Sequence, residues 1–124
     1  MNIKESHQQL EATRHRLWLH SQYLKIYEDQ LALLNRAGPE RAAPTDARIR
    51  QTRAHLAADS DLLEAQTRAL VAAIDGLADP RIQAIMVRRY LNNQSFAEIA
   101  AAMTYDLRWV YRLHQRGLAA AESA

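Results

Sequence analysis

The last third of the sequence holds arginines in a stretch that we predict to be one helix. Arg108 and Arg112 face outward near its N-terminal end. An arginine guanidinium can donate two parallel hydrogen bonds, which fit the O6 and N7 atoms of guanine, or it can bind phosphate oxygens. We therefore predict that Arg108 and Arg112 read base edges. Arg116, one turn further along, is predicted to contact phosphate, which sets register without reading sequence.

Other side chains complete the predicted DNA-binding set: Leu107, Tyr111, Gln115 and Arg88, with Arg89 as a further phosphate contact. Tyr111 can offer its hydroxyl to a phosphate or its ring to a thymine methyl group. The alternative is that these residues form a solvated helix face, with Arg89 an internal partner of Glu98. Trp109 fits three roles, which are packing at the helix junction, flanking the DNA backbone and facing a protein partner.

Capping signals define the elements that would position these residues. Asp79 followed by Pro80 opens the helix PRIQAIMVRRYL, which Asn92 and Asn93 end. Ser95 and Glu98 form a capping box, and Asp106 caps the last helix. Three short helices with a tight turn at Thr104 and Tyr105 are typical of a helix-turn-helix domain, predicted over residues 78–124. Its expected core is Phe96, Ile99, Ala100, Met103, Val110 and Leu113.

The preceding residues, 1–77, show the seven-residue spacing of a coiled coil. Leucine or isoleucine occupies positions 3, 10, 17, 24 and 31, and again 49, 56, 63, 70 and 77. The second core position of the first repeat holds the polar residues Ser6, Thr13 and His20, and then Tyr27 and Leu34. We therefore expect the contact between the helices to be hydrated at its start and better packed towards Tyr27 and Leu34.

One break divides this region. Gly38 suits a helix C-cap, Pro39 and Pro44 forbid continuation, and Thr45 or Asp46 can cap the next helix. Two helices of matched length with a short connection predict an antiparallel hairpin. Because two thin leucine stripes leave little core, we expect a second chain to complete it as a homodimer. The expected surface is Trp18, Leu19, Tyr23, Ile26 and Leu33; the alternative is that these residues pack on the chain's own C-terminal domain.

Composition excludes several classes of protein. The 124 residues contain no cysteine, which removes disulfides, thiolate zinc sites and cysteine nucleophiles. Helix formers dominate while β-branched and aromatic residues are scarce, so the predicted class is all-α. The histidines lack metal-binding spacing, and no nucleophile elbow or phosphate loop is present, so we expect no metal, no cofactor and no enzyme activity. The absence of a signal peptide or long apolar run predicts a cytoplasmic protein that does not enter membranes.

Charge is distributed unevenly. Residues 1–79 hold ten Lys or Arg against eleven acids, a net of −1, whereas residues 80–124 hold six against three, a net of +3. This asymmetry permits a nucleic-acid partner for the last third of the chain.

The segment SFAEIAAAMTYDLRWVYRLHQRGL resembles the helix-turn-helix of region four in the sigma-seventy family of RNA polymerase sigma factors. Its closer resemblance is to small phage and prophage regulators of the RinA/ArpU type, through DPR at 79–81, RYL at 89–91, SFAEIA at 95–100 and MTYDLRWVYRLHQRGL at 103–118. The similarity covers roughly 40 residues. Asp106 replaces the family's hydroxyl cap, and Gly117 replaces a small alanine, which we expect to loosen the helix by roughly 1 kcal/mol.

The resemblance implies a DNA-binding transcription regulator that acts at promoters on double-stranded DNA, with RNA polymerase as a further candidate partner. Two alternatives remain at this point. One is a protein-interaction module, either a polymerase-binding decoy or a coiled-coil adaptor. The other is a phage DNA-packaging recognition subunit, a class that usually forms rings.

Overall fold

A computed structural model describes residues 1–123, and all regular structure in that range is helical. The helices are α1 (Ile3–Leu34), α2 (Pro39–Asp75), α3 (Pro80–Met86), α4 (Phe96–Met103) and α5 (Leu107–Ser123). A π-helical turn, Val87–Leu91, continues α3 without a break. The predicted all-α class is confirmed. Among residues 1–123, no helix is both long and apolar enough to cross a membrane.

The chain divides into two compact units. A central unit comprises residues 10–65, and a terminal unit comprises residues 1–9 together with residues from 66 onward. The first turns of α1 and the last turns of α2 thus belong with α3, α4 and α5. The predicted boundary at 77/78 lies at the break between α2 and α3, whereas the two units meet inside α1, at 9/10, and inside α2, at 65/66.

Within the central unit, polar side chains connect α1 and α2. Asp59 of α2 lies 2.6 Å from His20 Nδ1 and 3.7 Å from Arg16 Nε, and Arg53 of α2 lies 3.7 Å from Glu28. Higher numbers on α1 therefore meet lower numbers on α2, which is the order of two helices running in opposite directions.

The seven-residue stripes of the central unit are buried only in part. Leu10 of α1 and Ile49 of α2 are buried, whereas Leu17, Leu24, Leu31, Leu56 and Leu63 are half-buried. Three further buried positions of α2 are polar: Thr45, Thr52 and Asp59. The seam, meaning these facing stripes, alternates apolar and polar side chains.

Packing along α1 does not improve towards its end, contrary to the prediction. Ile3, Leu10 and Thr13 at the start are 1%, 0% and 0% exposed, whereas Tyr27 and Leu34 are half-buried. Ile3 belongs to the terminal unit, whereas Leu10 and Thr13 begin the central unit, so burial at the start of α1 extends into both units.

The predicted break between α1 and α2 is too long. α1 ends at Leu34 and α2 begins at Pro39, so Pro44 lies inside the helix and Thr45 and Asp46 do not cap it. Gly38 has φ of +110°, and its carbonyl accepts a hydrogen bond from the Ala42 N–H. Gly38 therefore precedes the first turn of α2 and does not cap the end of α1. Pro39 needs no N–H at the first helical position, and Pro44 removes a single helical hydrogen bond among good helix formers.

The terminal unit has a continuous apolar core. Its fully buried side chains come from all three short helices: Ile85, Met86, Ile99, Val110 and Leu113, each 0% exposed. Ala100, a small residue on α4, is 8% exposed, and α4 and α5 pack together. Ile99, Ala100, Val110 and Leu113 were correctly predicted as core, whereas Phe96 and Met103 are half-buried.

The start of α1 also packs in the terminal unit. The Met1 amino group donates to the carbonyl of Ala121 on α5 at 2.7 Å. His7 Nε2 lies 3.0 Å from Asn93 Oδ1, and its ring meets the ring of Tyr90 edge to face. The first residues of the chain thus contact both α5 and the loop that follows the π turn.

Candidate nucleic-acid interface

The candidate interface is the exposed side of α5, and local signals fix where this helix begins. The Asp106 carboxylate accepts from the Arg108 N–H at 2.9 Å, which confirms the predicted cap. The capping box of α4 is also confirmed, with Ser95 and Glu98 bonded in both directions at 3.1 and 3.3 Å. Asp79 caps α3 ahead of Pro80, as predicted.

The turn between α4 and α5 holds the backbone in a left-handed conformation. Thr104 has φ of +57° and ψ of +42°, and its N–H reaches back to the carbonyls of Ala100 and Ala101. A β-branched residue is strained in this region, so the packing on both sides must hold it there. The three residues Thr104, Tyr105 and Asp106 thus set the angle at which α5 leaves α4.

One side of α5 is buried and the other carries the predicted site. The buried residues are Val110, Leu113, His114, Gly117 and Ala121. All six site residues predicted on this helix are exposed: Leu107, Arg108, Tyr111, Arg112, Gln115 and Arg116. The helix is therefore amphipathic, with a basic outer face.

Gly117 allows the close approach of α5 to α3. A Cβ atom added at this position would lie 2.6 Å from Ile82 Cγ2 and would overlap Met86 Cε. Ile82 and Met86 would have to move to admit a methyl group here, so glycine at this position also serves packing, a role that the expected loosening of the helix does not include. Gly117 is a packing residue that holds the back of the candidate interface against α3.

Three arginines form the centre of the exposed face. Arg108, Arg112 and Arg116 recur every four residues, which places them along one side of the helix. Within residues 1–123, none of their guanidinium groups has a carboxylate within ion-pair distance. Their charge and hydrogen-bond donors are available to an external acceptor.

Tyr111 and Leu107 border the arginines on the side of α4. The Tyr111 ring lies 4.8 Å from the ring of Phe96, and the residue is 45% exposed. Leu107, in the first turn, is 39% exposed. Phe96 thus supports Tyr111 while leaving its outer part open to solvent.

Gln115, which directly precedes Arg116, lies near acidic side chains as well as near the arginines. It lines a cleft of about 660 Å³ together with residues of the first turn of α1 and the last turns of α5: Asn2, Lys4, Glu5, Gln8, Leu118, Ala119 and Glu122. Glu5 and Glu122 outnumber Lys4 there, so the charge of the cleft opposes phosphate binding. The acidic side chains of the cleft thus lie towards the C-terminal end of α5, beyond the three arginines.

Arg88 and Arg89 lie on the π turn and not on α5. Arg88 is half-buried, with Nη1 3.5 Å from Gln94 Oε1. Arg89 donates to the Gln94 carbonyl at 3.0 Å and lies over the Phe96 ring at 4.3 Å. Arg89 is thus engaged internally, but its partners are Gln94 and Phe96, whereas Glu98 caps α4.

A buried polar pair, which the sequence did not reveal, lies behind the interface. Tyr90 Oη and His114 Nε2 are 2.6 Å apart, and His114 is 2% exposed. Burial lowers the pKa of His114 to about 4, with smaller contributions from Lys4 and Arg89, and burial raises the pKa of Tyr90. Both side chains are neutral near pH 7. The spacing of His114, four residues after Val110 and three before Gly117, is the signal that could have placed it on the inner side.

Trp109 is half-buried beside two arginines. The guanidinium carbons of Arg81 and Arg116 lie 5.5 and 5.3 Å from its ring centroid. Arg81 lies in the first turn of α3, so Trp109 lies at the junction of α5 with that helix.

No group of three His, Cys, Asp or Glu side chains within residues 1–123 is placed to hold a metal ion.

Comparisons with protein-family models, with curated proteins and with solved structures found no match to this chain. The resemblance to RinA/ArpU-type regulators and to sigma region four stays a prediction.

Proposed function

We propose that this chain is a sequence-specific DNA-binding transcription regulator of phage or prophage origin. In this proposal, α4, the turn Thr104–Asp106 and α5 act as a helix-turn-helix, and α5 enters the major groove of double-stranded DNA. The observation that carries the proposal is the row of exposed arginines on the side of α5 opposite its buried face, which have no carboxylate partner among the residues that the structure describes.

The electrostatic gradient along α5 favours insertion of its N-terminal half. Arg108 and Arg112 lie in the first two turns, whereas Glu122 and the neighbouring Glu5 lie at the far end. At 17 residues the helix is about 26 Å long, at about 1.5 Å per residue, so the two ends meet different parts of a duplex. The acidic end is repelled by phosphates and the basic end is attracted.

Base reading by Arg112 and phosphate contact by Arg116 predict different losses. We expect Arg112→Ala to weaken the selected site about 10- to 100-fold and to relax preference at one base pair. Arg116→Ala should weaken selected and random duplexes alike. Arg48→Ala, at an exposed arginine of the central unit that also lacks an ion pair, is the matched control.

The experiment selects bound duplexes from random DNA and measures affinities by fluorescence anisotropy at several salt concentrations. Binding that weakens steeply with salt supports the proposal, since phosphate neutralisation releases counterions. Equal losses on selected and random DNA for both variants would show that α5 does not read bases. A wild-type protein without salt-dependent duplex binding would refute DNA binding itself.

We further propose that the central unit forms the dimer interface. Trp18, Tyr23, Ile26 and Leu33 are 57%, 44%, 53% and 68% exposed, while Leu19 is half-buried. Leu19, Ile26 and Leu33 are seven residues apart, which is the coiled-coil period. Sedimentation equilibrium at micromolar concentration should give a dimer, and Ile26→Glu with Leu33→Glu should give a monomer. A wild-type monomer contradicts the proposal, and a larger ring would favour a DNA-packaging subunit.

The same exposed apolar residues favour a second candidate, a protein-interaction module. In that case the partner would be a protein such as RNA polymerase, which the resemblance to sigma region four implies. Binding to purified polymerase holoenzyme that persists in Arg108→Ala/Arg112→Ala, without duplex binding by the wild type, would favour this candidate.

A further inference from the structure

The side chains that contact Trp109 come from two helices. The predicted base contacts of Arg108 and Arg112 do not explain why these side chains lie together. Trp109 and Arg116 lie seven residues apart on α5, and Arg81 comes from the first turn of α3. Both guanidinium groups lie over the indole ring, at 5.5 and 5.3 Å. Such contacts between cations and an aromatic ring restrain an exposed arginine without neutralising it.

Arg81 is held in place by Asp79. Its Nη2 donates to Asp79 Oδ2 at 2.8 Å and its Nε to Oδ1 at 3.2 Å, while the same carboxylate accepts from the Arg81 backbone N–H at 2.9 Å. The hydrogen bond from Arg81 lowers the pKa of Asp79 to about 2, so the carboxylate is ionised. Asp79 balances the charge of Arg81 and fixes its position against the indole ring.

Arg116 is left with uncompensated charge. Within residues 1–123 its guanidinium has neither a hydrogen bond nor an ion pair, and its contact is with the Trp109 ring. The indole Nε1–H of Trp109 also has no acceptor in that range. With Asp79 and Arg81 cancelling, the cluster has a net charge of +1 and a surplus of donors.

We propose that Arg116 and the Trp109 indole N–H bind one phosphate of the DNA backbone, beside the bases that Arg108 and Arg112 contact. A phosphate diester offers acceptors and one negative charge, which match these groups. Arg81, held by Asp79, is a positioning residue that keeps the Trp109 ring, and through it Arg116, in place. This inference rests on the proposed function and adds Trp109, Arg81 and Asp79 to it.

The test measures affinity and its salt dependence for the full-length chain on its selected duplex. Arg116→Ala should lower the affinity about 5- to 10-fold and reduce the slope of log affinity against log salt by about 0.9, the value for one phosphate on duplex DNA. Trp109→Phe keeps the ring and removes the N–H, so it should cost a few-fold without changing the slope. Arg48→Ala, the control in the central unit, should change neither quantity.

Double variants separate positioning from direct contact. Arg81→Ala should weaken binding a few-fold in the wild-type background and by less in the Arg116→Ala background, where only the Trp109 N–H is left to position. A separate loss of slope on removal of Arg81 would show that Arg81 binds phosphate itself, which overturns its positioning role. Thermal melting of each variant checks that the fold is intact.

Single methylphosphonate substitutions identify the phosphate. One neutralised position should weaken the wild type 5- to 10-fold and Arg116→Ala less, because only the Trp109 N–H still contacts that phosphate in the variant. If the wild type binds duplex DNA but Arg116→Ala behaves like Arg48→Ala at every position, the phosphate contact is refuted while the proposed function stands. If the wild type shows no salt-dependent binding to any duplex, the proposed function fails first.

Discussion

The two compact units have different interiors. In the terminal unit, Ile85, Met86, Ile99, Val110 and Leu113 have no exposed surface, and the unit holds one buried polar pair. In the central unit, Leu10 and Ile49 are buried, but the other leucines of the stripes are half-buried and Thr45, Thr52 and Asp59 are buried polar residues. Burial of apolar surface contributes roughly 25 cal/mol per Å², whereas a buried ion pair contributes little net stability. The comparison indicates that the terminal unit is stabilised by packing, and that the polar seam of the central unit mainly fixes the register of α1 against α2.

The largest expected effect comes from matched leucine truncations in the two units. Leu113→Ala removes a side chain with 0% exposure, so it should lower the free energy of unfolding of the terminal unit by about 3 kcal/mol. Leu24→Ala removes a half-buried side chain and should cost the central unit about 1 kcal/mol. Native-state hydrogen exchange, which reports local opening, measures both losses in the full chain. Equal losses would contradict the difference between the two interiors.

Acid should destabilise the terminal unit through His114. Burial lowers the pKa of His114 to about 4, against about 6.5 in the unfolded chain, so the folded state favours the neutral ring. Stability is therefore full above pH 6.5 and is lost as the pH falls towards 4, by about 2 kcal/mol at pH 5. Melting temperatures between pH 7 and pH 4.5 measure this loss.

His114→Phe is the control for the acid effect. It removes the titrating group and leaves an aromatic ring beside Tyr90, so its melting temperature should fall much less over the same pH range. A variant with the full acid sensitivity of the wild type would assign the effect to other groups.

The polar seam of the central unit predicts the opposite response to apolar substitution. His20→Leu together with Asp59→Leu replaces a close hydrogen-bonded polar pair by side chains that continue the flanking leucine stripes. We expect the free energy of unfolding of the central unit to rise by about 1 kcal/mol. Hydrogen exchange of amides near both positions measures it, and a loss of more than 1 kcal/mol would show that the pair contributes net stability.

The sequence predicted the elements of the terminal unit well because their signals are local. Asp79 with Pro80, Ser95 with Glu98, and Asp106 each satisfy backbone groups within three residues, so a linear pattern reveals them. The exposed face of α5 followed from the same helical period. These features include every candidate site residue on α5.

Other features depend on contacts between distant parts of the chain. The π turn, the close approach at Gly117 and the pair of Tyr90 with His114 arise where α3 and α5 pack together. The position of Arg81 against Trp109 also requires the fold, since 28 positions separate them. Pro44 shows that a local signal can also give a wrong prediction. This strong helix breaker lies inside α2, among helix-forming neighbours.

The smallest expected effect concerns the turn that joins α4 to α5. Thr104 has φ of +57°, a region that asparagine tolerates far better than a β-branched residue, and Asn93 adopts φ of +55° in this same chain. Thr104→Asn should therefore raise the free energy of unfolding of the terminal unit by about 0.5 to 1 kcal/mol. Thr104→Val keeps the branch at Cβ and should give no gain.

Because the turn sets the direction in which α5 leaves α4, a Thr104→Asn protein that melts higher should retain its affinity for the selected duplex. A higher melting temperature with weaker binding would show that the strained threonine holds α5 at an angle that asparagine does not reproduce.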